Sequence, residues 1–115
     1  MSDYKIKEIS SEDWKPTAKG IPGIFIYSIM PSEWSEVKML LTKVEAKGIF
    51  PQHKDDYHHV FHFIEGEGIV MIGDEKHEIK KNLIVHIPAG LLHSYENTGS
   101  SELILLTVNI PKKEK

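Results

Sequence analysis

PQHKDDYHHVFHFIEGEG, residues 51 to 68, is the stretch that decides how this chain reads. Side chains of an extended strand alternate between its two faces. His53, Asp55 and His59 therefore share one face with Phe61 and Phe63, and Lys54, Asp56, His58, Val60, His62 and Ile64 take the other. A second stretch, PAGLLHSYEN at 88 to 97, adds His93 just past a Pro-Ala-Gly turn that can end one strand and begin the next. Three imidazoles and a carboxylate on two strands form a nitrogen and oxygen donor set of the kind that divalent iron, manganese, nickel, copper or zinc accepts.

Working outward, short apolar runs recur between turn residues. Ile24 to Ile29 reads as a strand by its β-branched and aromatic content, Val37 to Glu45 as another, and Ile69 to Ile72 as a third before a hairpin at Gly73-Asp74. A polar strand around His77 to Lys80 follows, then Leu83 to Ile87, which Pro88 ends because it cannot donate to a ladder. Leu91 to Tyr95 and the nearly all-apolar Leu103 to Ile110 complete the set. At the amino end Tyr4, Ile6 and Ile9 suit a short edge strand. Ser10 to Trp14 suits a single helical turn with Ser10 as its cap, and Trp14 is expected to pin this arm onto the body. No segment holds a helical period, and strands spaced every 8 to 12 residues predict an all-β fold: two antiparallel sheets closed into a sandwich or barrel, of which the jelly roll is one form.

Composition narrows the function. At 115 residues the chain is expected to be one domain, 1 to 115, with a core at about 24 to 110, an amino-terminal arm at 1 to 20 and a solvated tail at 111 to 115. It has no cysteine, so disulfides and thiolate chemistry are excluded. All fourteen cations are lysines and the net charge is -3. Without arginine there is no planar fork to grip a phosphate or read guanine, which argues against nucleic acid and weakens the case for phosphorylated substrates. No apolar run reaches a membrane span, and MSDYKIKEIS lacks the core of a secretory signal, so a cytoplasmic protein with no membrane partner is expected.

The spacing Gly48-x4-His53-x5-His59-x6-Gly66, followed by Pro88-x-Gly90-x2-His93-x3-Asn97, resembles the two motifs of the cupin superfamily. The chain looks like a small single-domain cupin, similar to those with four histidine ligands. That resemblance implies a jelly roll with a metal inside the barrel. His53 matches the first histidine of the usual His-x-His pair, and Asp55 stands where the second is expected. His59 takes the place of the usual glutamate, and His93 matches the histidine of the second motif. Asn82 stands where a glycine opens that motif, a tolerable exchange because asparagine also visits the left-handed region.

All seven histidines fall between positions 53 and 93. For a single histidine in a strand, a surface or hydrogen-bonded role is the ordinary reading, and it is kept for His58, His62, His77 and His86. His58 and His62 face away from the cavity and are available to a subunit contact. The motif spacing lifts His53, His59 and His93 out of that class. Three uses stay open to Asp55: fourth ligand, orienting partner of a ligand, or catalytic base beside a three-histidine site. Phe61, Phe63, Met71 and Tyr95 are expected to line the pocket, which suits a small, mostly uncharged substrate chelated by the metal. The expected activity is that of a metal-dependent dioxygenase-type oxidoreductase using iron or manganese, with zinc, nickel or copper as other candidates. A non-catalytic binding cupin and a Lewis-acid isomerase or cyclase are the alternatives. Open edges, including an apolar last strand, predict a homodimer.

Overall fold

A computed structural model describes residues 4–17 and 20–112. Ten strands form two sheets: β1 Lys15–Pro16, β2 Ile24–Ser28, β3 Lys38–Val44, β4 Ile49–His53, β5 Tyr57–Glu65, β6 Gly68–Ile72, β7 Glu75–Ile79, β8 Ile84–Ile87, β9 His93–Asn97 and β10 Leu103–Pro111. The larger sheet runs β1-β2-β3-β10-β5-β8 and the smaller β4-β9-β6-β7, with every pairing antiparallel. This is the all-β sandwich of jelly-roll type that the strand spacing predicted. No helix among the described residues is long and apolar enough to cross a membrane.

The core lies between the sheets and follows from alternation. On β5, Phe61 and Phe63 are buried while Val60 and His62 are only half-buried; on β10, Leu103 and Leu105 are buried between the half-buried Ile104 and Leu106. Ile24, Val44 and Ile87 complete the large sheet's inner face, and Val70, Ile79 and Tyr95 answer from the small one. Asn97 anchors the far end with 1% of its surface exposed. Its amide donates to the carbonyls of Val44 at 2.9 Å and Ser101 at 2.8 Å, and its oxygen accepts the Gly99 N–H at 2.8 Å. A buried amide with its donors and acceptor satisfied is a structural pin. Gly66 is required at its bend: φ is +99°, and a Cβ there would lie 2.7 Å from the Glu102 carbonyl oxygen. Asn82 adopts φ of 71°, as expected of a residue substituting for glycine.

Four expectations need correction. Residues 51 to 64 are not one strand, because the chain leaves β4 at His53 and enters the other sheet at Tyr57 through a short connector. The last strand is no edge: β10 sits between β3 and β5, so its apolar run reflects a central position in the sheet. Leu91 and Leu92 stay in the loop before β9, and Tyr4, Ile6 and Ile9 form no strand. The turn at Ser11–Asp13 does form, with the Ser10 N–H donating to Asp13 Oδ2 at 2.8 Å. Trp14 is half-buried with the Lys43 ammonium 4.8 Å from its ring centre, which ties the arm to β3. The tail expected at 111 to 115 lies mostly outside the described residues, since 113–115 are not described.

Candidate metal centre

The two sheets bring four side chains to one point by different routes. His53 ends β4 and pairs directly with His93 at the start of β9, placing their ring centres 4.3 Å apart. His59 reaches over from β5 in the opposite sheet, its ring 4.9 Å from that of His93. Asp55 comes from the connector between the sheets. Alternation along a single strand therefore explains only His59 with its neighbours Tyr57, Phe61 and Phe63. The others meet through the fold.

A ligand atom from each of the four lies within 4.8 Å of the rest. Asp55 Oδ2 is 2.8 Å from His59 Nε2, 3.1 Å from His53 Nε2 and 4.0 Å from His93 Nε2. The other ring nitrogens are all occupied. Nδ1 of His53 donates to the Pro51 carbonyl at 2.9 Å, that of His59 to Asn109 Oδ1 at 2.7 Å, and that of His93 to the Leu91 carbonyl at 2.9 Å. Because those partners only accept, each neutral imidazole carries its proton on Nδ1 and its lone pair on Nε2. Three Nε2 atoms and a carboxylate then face one another, and the 2.8 Å hydrogen bond between His59 Nε2 and Asp55 Oδ2 needs a second proton on that ring. His93 Nε2 is buried without a partner, and burial holds its ring below the ordinary histidine range. Such a group left unpaired costs about 1–3 kcal/mol. A divalent cation satisfies all four atoms at once, so the donor set fits the transition metal that the motif implies.

Beside the cluster lies a cavity of about 230 Å³. Phe61 and Tyr95 line it, as expected from sequence, together with all four cluster residues. Phe63 does not: wholly buried, its ring lies 6.0 Å from Phe61 and 6.3 Å from Tyr95, and it fills the core behind them. Met71 does not line it either. It alternates with the buried Val70 on β6, pairs with Ser94 and Lys76, and so turns to the outer face of the small sheet. Burial raises the pKa of the Tyr95 hydroxyl well above the ordinary value, which keeps it neutral.

Several lining residues escaped the sequence reading. Phe50 stacks 4.7 Å from His53 and 5.2 Å from Tyr95. Thr42 and Thr107 share a buried hydroxyl–hydroxyl bond of 3.0 Å. Asn109 holds His59. Thr107 and Asn109 carried a legible signal, being polar residues at the inward parity of an otherwise apolar strand. Tyr57 lines both the cavity and a groove of about 470 Å³, and its hydroxyl bonds to Asp55. Burial and the neighbouring Asp55 charge raise its pKa. The remaining histidines stay outside: His58 Nδ1 accepts the Ala89 N–H at 2.9 Å, His62 lies 3.3 Å from Asn82 Oδ1, and His77 and His86 are exposed. The His58 bond, with Gly90 N–H donating to the Asp55 carbonyl at 2.7 Å, staples the Pro88 turn to the connector that carries Asp55.

Residues 40–109 match the model of the cupin domain family. The chain belongs to the cupins. An uncharacterized protein of Methanocaldococcus jannaschii is 26% identical to it over 115 residues, 96% of this chain and 91% of that one. Among solved structures, a predicted oxalate decarboxylase of Thermotoga maritima is similar at TM-score 0.77 and 21% identity, covering 92% of this cupin and all of that chain. The polyketide cyclase RemF of Streptomyces resistomycificus is similar at TM-score 0.73 and 16% identity, covering 96% and 83%. At these identities the two structures show a shared fold, and the cluster's own chemistry has to carry the functional reading.

Proposed function

We propose that this cupin is a metal-dependent oxidoreductase of dioxygenase type, cytoplasmic, acting on a small and mostly uncharged substrate that the metal chelates. One observation carries the reading: three Nε2 atoms and the Asp55 carboxylate converge beside a small cavity that, among the described residues, no lysine lines. Iron or manganese, held by His53, His59 and His93 with Asp55 as fourth ligand, would supply a Lewis-acidic, redox-active centre with coordination positions left for substrate and oxygen.

The chain's own residues do the rest. Asn109, Pro51 and Leu91 fix the ring orientations, so the donors are set before any ion arrives. Phe50, Phe61 and Tyr95 exclude water from the bound substrate. Thr42 and Thr107 offer it a hydroxyl at the cavity wall. Asp55 Oδ2 borders the cavity and can take a proton from a substrate hydroxyl or activated C–H, which keeps its role as base open beside that of ligand. The same fold carries proteins described as a decarboxylase and a cyclase, so a Lewis-acid reaction without redox change is the reading to which failure of the first would lead.

The test is elemental analysis of protein expressed with iron and manganese available, followed by anaerobic iron loading and oxygen uptake with small diketones, thiols and styrene-like alkenes. One metal per chain in the wild type, none in His93→Ala, and substrate-dependent oxygen consumption are expected. Stoichiometric metal with no oxygen uptake for any of these substrates would overturn the redox assignment. Absence of bound metal would overturn the whole reading.

A further inference from the structure

We infer that Thr42 and Thr107 form a second recognition point in the cavity, which takes a neutral oxygen acceptor, a carbonyl or an ether, on the part of the substrate remote from the metal. The inference rests on the metal-dependent reading above and states what that substrate must carry. Both threonines line the cavity, are 3% and 8% exposed, and hold their hydroxyl oxygens 3.0 Å apart. Their cross-strand partners are apolar: Ile26 and Leu105 flank Thr42, and Leu40 and Phe61 flank Thr107. Two valines would fill the same space without taking a hydroxyl out of water, so the fold alone gives no reason for the pair.

One hydroxyl donates to the other, and that bond leaves the accepting hydroxyl's own proton unused. Neither hydroxyl makes another side-chain bond among the described residues. A buried donor without a partner is costlier than a spare lone pair, so the complementary ligand atom is an acceptor. It is neutral, because among the described residues no lysine lines the cavity and a carboxylate there would lie unpaired. Register gives the spacing. Thr107 lies two residues along β10 from Asn109, the cross-strand partner of His59, and so is that histidine's diagonal neighbour, about 7–8 Å away between backbones. Tyr95 closes the opposite wall, its ring 5.5 Å from that of Phe61. The 230 Å³ of the cavity equal the volume of roughly eight waters. The substrate is therefore compact, with a chelating oxygen pair at one end and an uncharged carbonyl or ether oxygen about 7–8 Å from it.

Calorimetric titration of the zinc-loaded chain with 4-acetylcatechol and 4-isopropylcatechol tests this. The two probes share a chelating head and nearly the same shape, and differ in the carbonyl oxygen. Zinc reports binding without turnover, so a chain that consumes no oxygen still gives an answer. The preference for the acetyl probe is expected to be about tenfold greater in the wild type than in Thr42→Val/Thr107→Val, a ratio that cancels the acetyl group's effect on the chelating oxygens. Metal content and melting temperature should be unchanged in that variant, and Thr42→Ser/Thr107→Ser should keep the preference. Thr107→Val alone, expected to lose about fivefold, decides the matter should the double variant misfold. Equal preference in the wild type and the valine variants, or zinc-loaded protein that binds neither probe at millimolar concentration, would overturn the subsite and leave the metal reading standing. Failure to take up zinc would overturn both.

Discussion

Stripping the metal should lower the melting temperature of this protein by more than ten degrees. Four possible ligand atoms crowd one point, and His93 Nε2 is buried with no partner. An ion binding only the folded chain, present at a thousand times its dissociation constant, stabilises by about 4 kcal/mol. For 115 residues the unfolding entropy is about 0.24 kcal/mol/K, so this corresponds to roughly 17 °C. The assay is differential scanning calorimetry of protein dialysed against chelator and then titrated with iron(II), manganese, nickel, copper or zinc. Asp55→Asn separates the causes. It removes the anionic donor but keeps the size, so its metal-induced shift should fall by at least half while its metal-free melting temperature stays within a few degrees of wild type. A shift below 2 °C for all five metals would refute the account of the cluster as a metal centre. An undiminished shift in Asp55→Asn would remove Asp55 from the ligand set.

Other consequences are more local. Asn97→Ala leaves two carbonyls and an N–H without partners in the core and should cost about 3–5 kcal/mol, read from the urea midpoint at unchanged m-value. A loss under 1 kcal/mol would mean that water takes its place. Tyr57→Phe removes the hydroxyl that bonds Asp55 and should weaken metal binding about tenfold in a chelator competition, with the metal-free melting temperature unmoved. Equal affinities would show that Asp55 needs no such partner. Tyr95 has a folded pKa raised by burial, so its contribution is fully present below the unfolded value near 10 and is lost as pH rises above it. Between pH 10 and 11 the wild type should lose about 1 kcal/mol more than Tyr95→Phe, measured by urea unfolding. Parallel losses would mean that the hydroxyl ionises in place.

Much of this molecule was legible before its coordinates because alternation is local physics. The inward set on β5 and the turn glycines follow from neighbouring residues alone. Register across strands does not. Nothing in KDD at 54 to 56 announces that the chain changes sheets there, so His53 and His59 read as one face of one strand when they approach from opposite walls. Phe63 and Met71 failed as pocket residues for related reasons. Phe63 has the right parity but lies one layer too deep, and Met71 lies on a strand whose inward face was set by Val70. The apolar run of β10 reads as an edge, whereas its two neighbours come from far earlier in the chain, β3 and β5.

That topology also explains why an ion should matter to the whole fold. His53 and His93 belong to the small sheet, His59 to the large one, and Asp55 to the connector that joins them. At the opposite end the sandwich is pinned by Asn97 and by the close approach at Gly66. At this end the walls part around a cavity, and a cation held between the three ring nitrogens and the carboxylate would tie them together. Three neutral imidazoles and one carboxylate leave a divalent ion with a net charge of +1, where a fourth imidazole would leave +2. An anionic substrate chelating at this site would therefore meet a weaker field, and among the described residues no lysine lines the cavity to restore it. On the proposed function, a carboxylate rather than an imidazole at position 55 would bear on both questions: it would strengthen the clamp between the sheets and turn the site's preference toward neutral chelators.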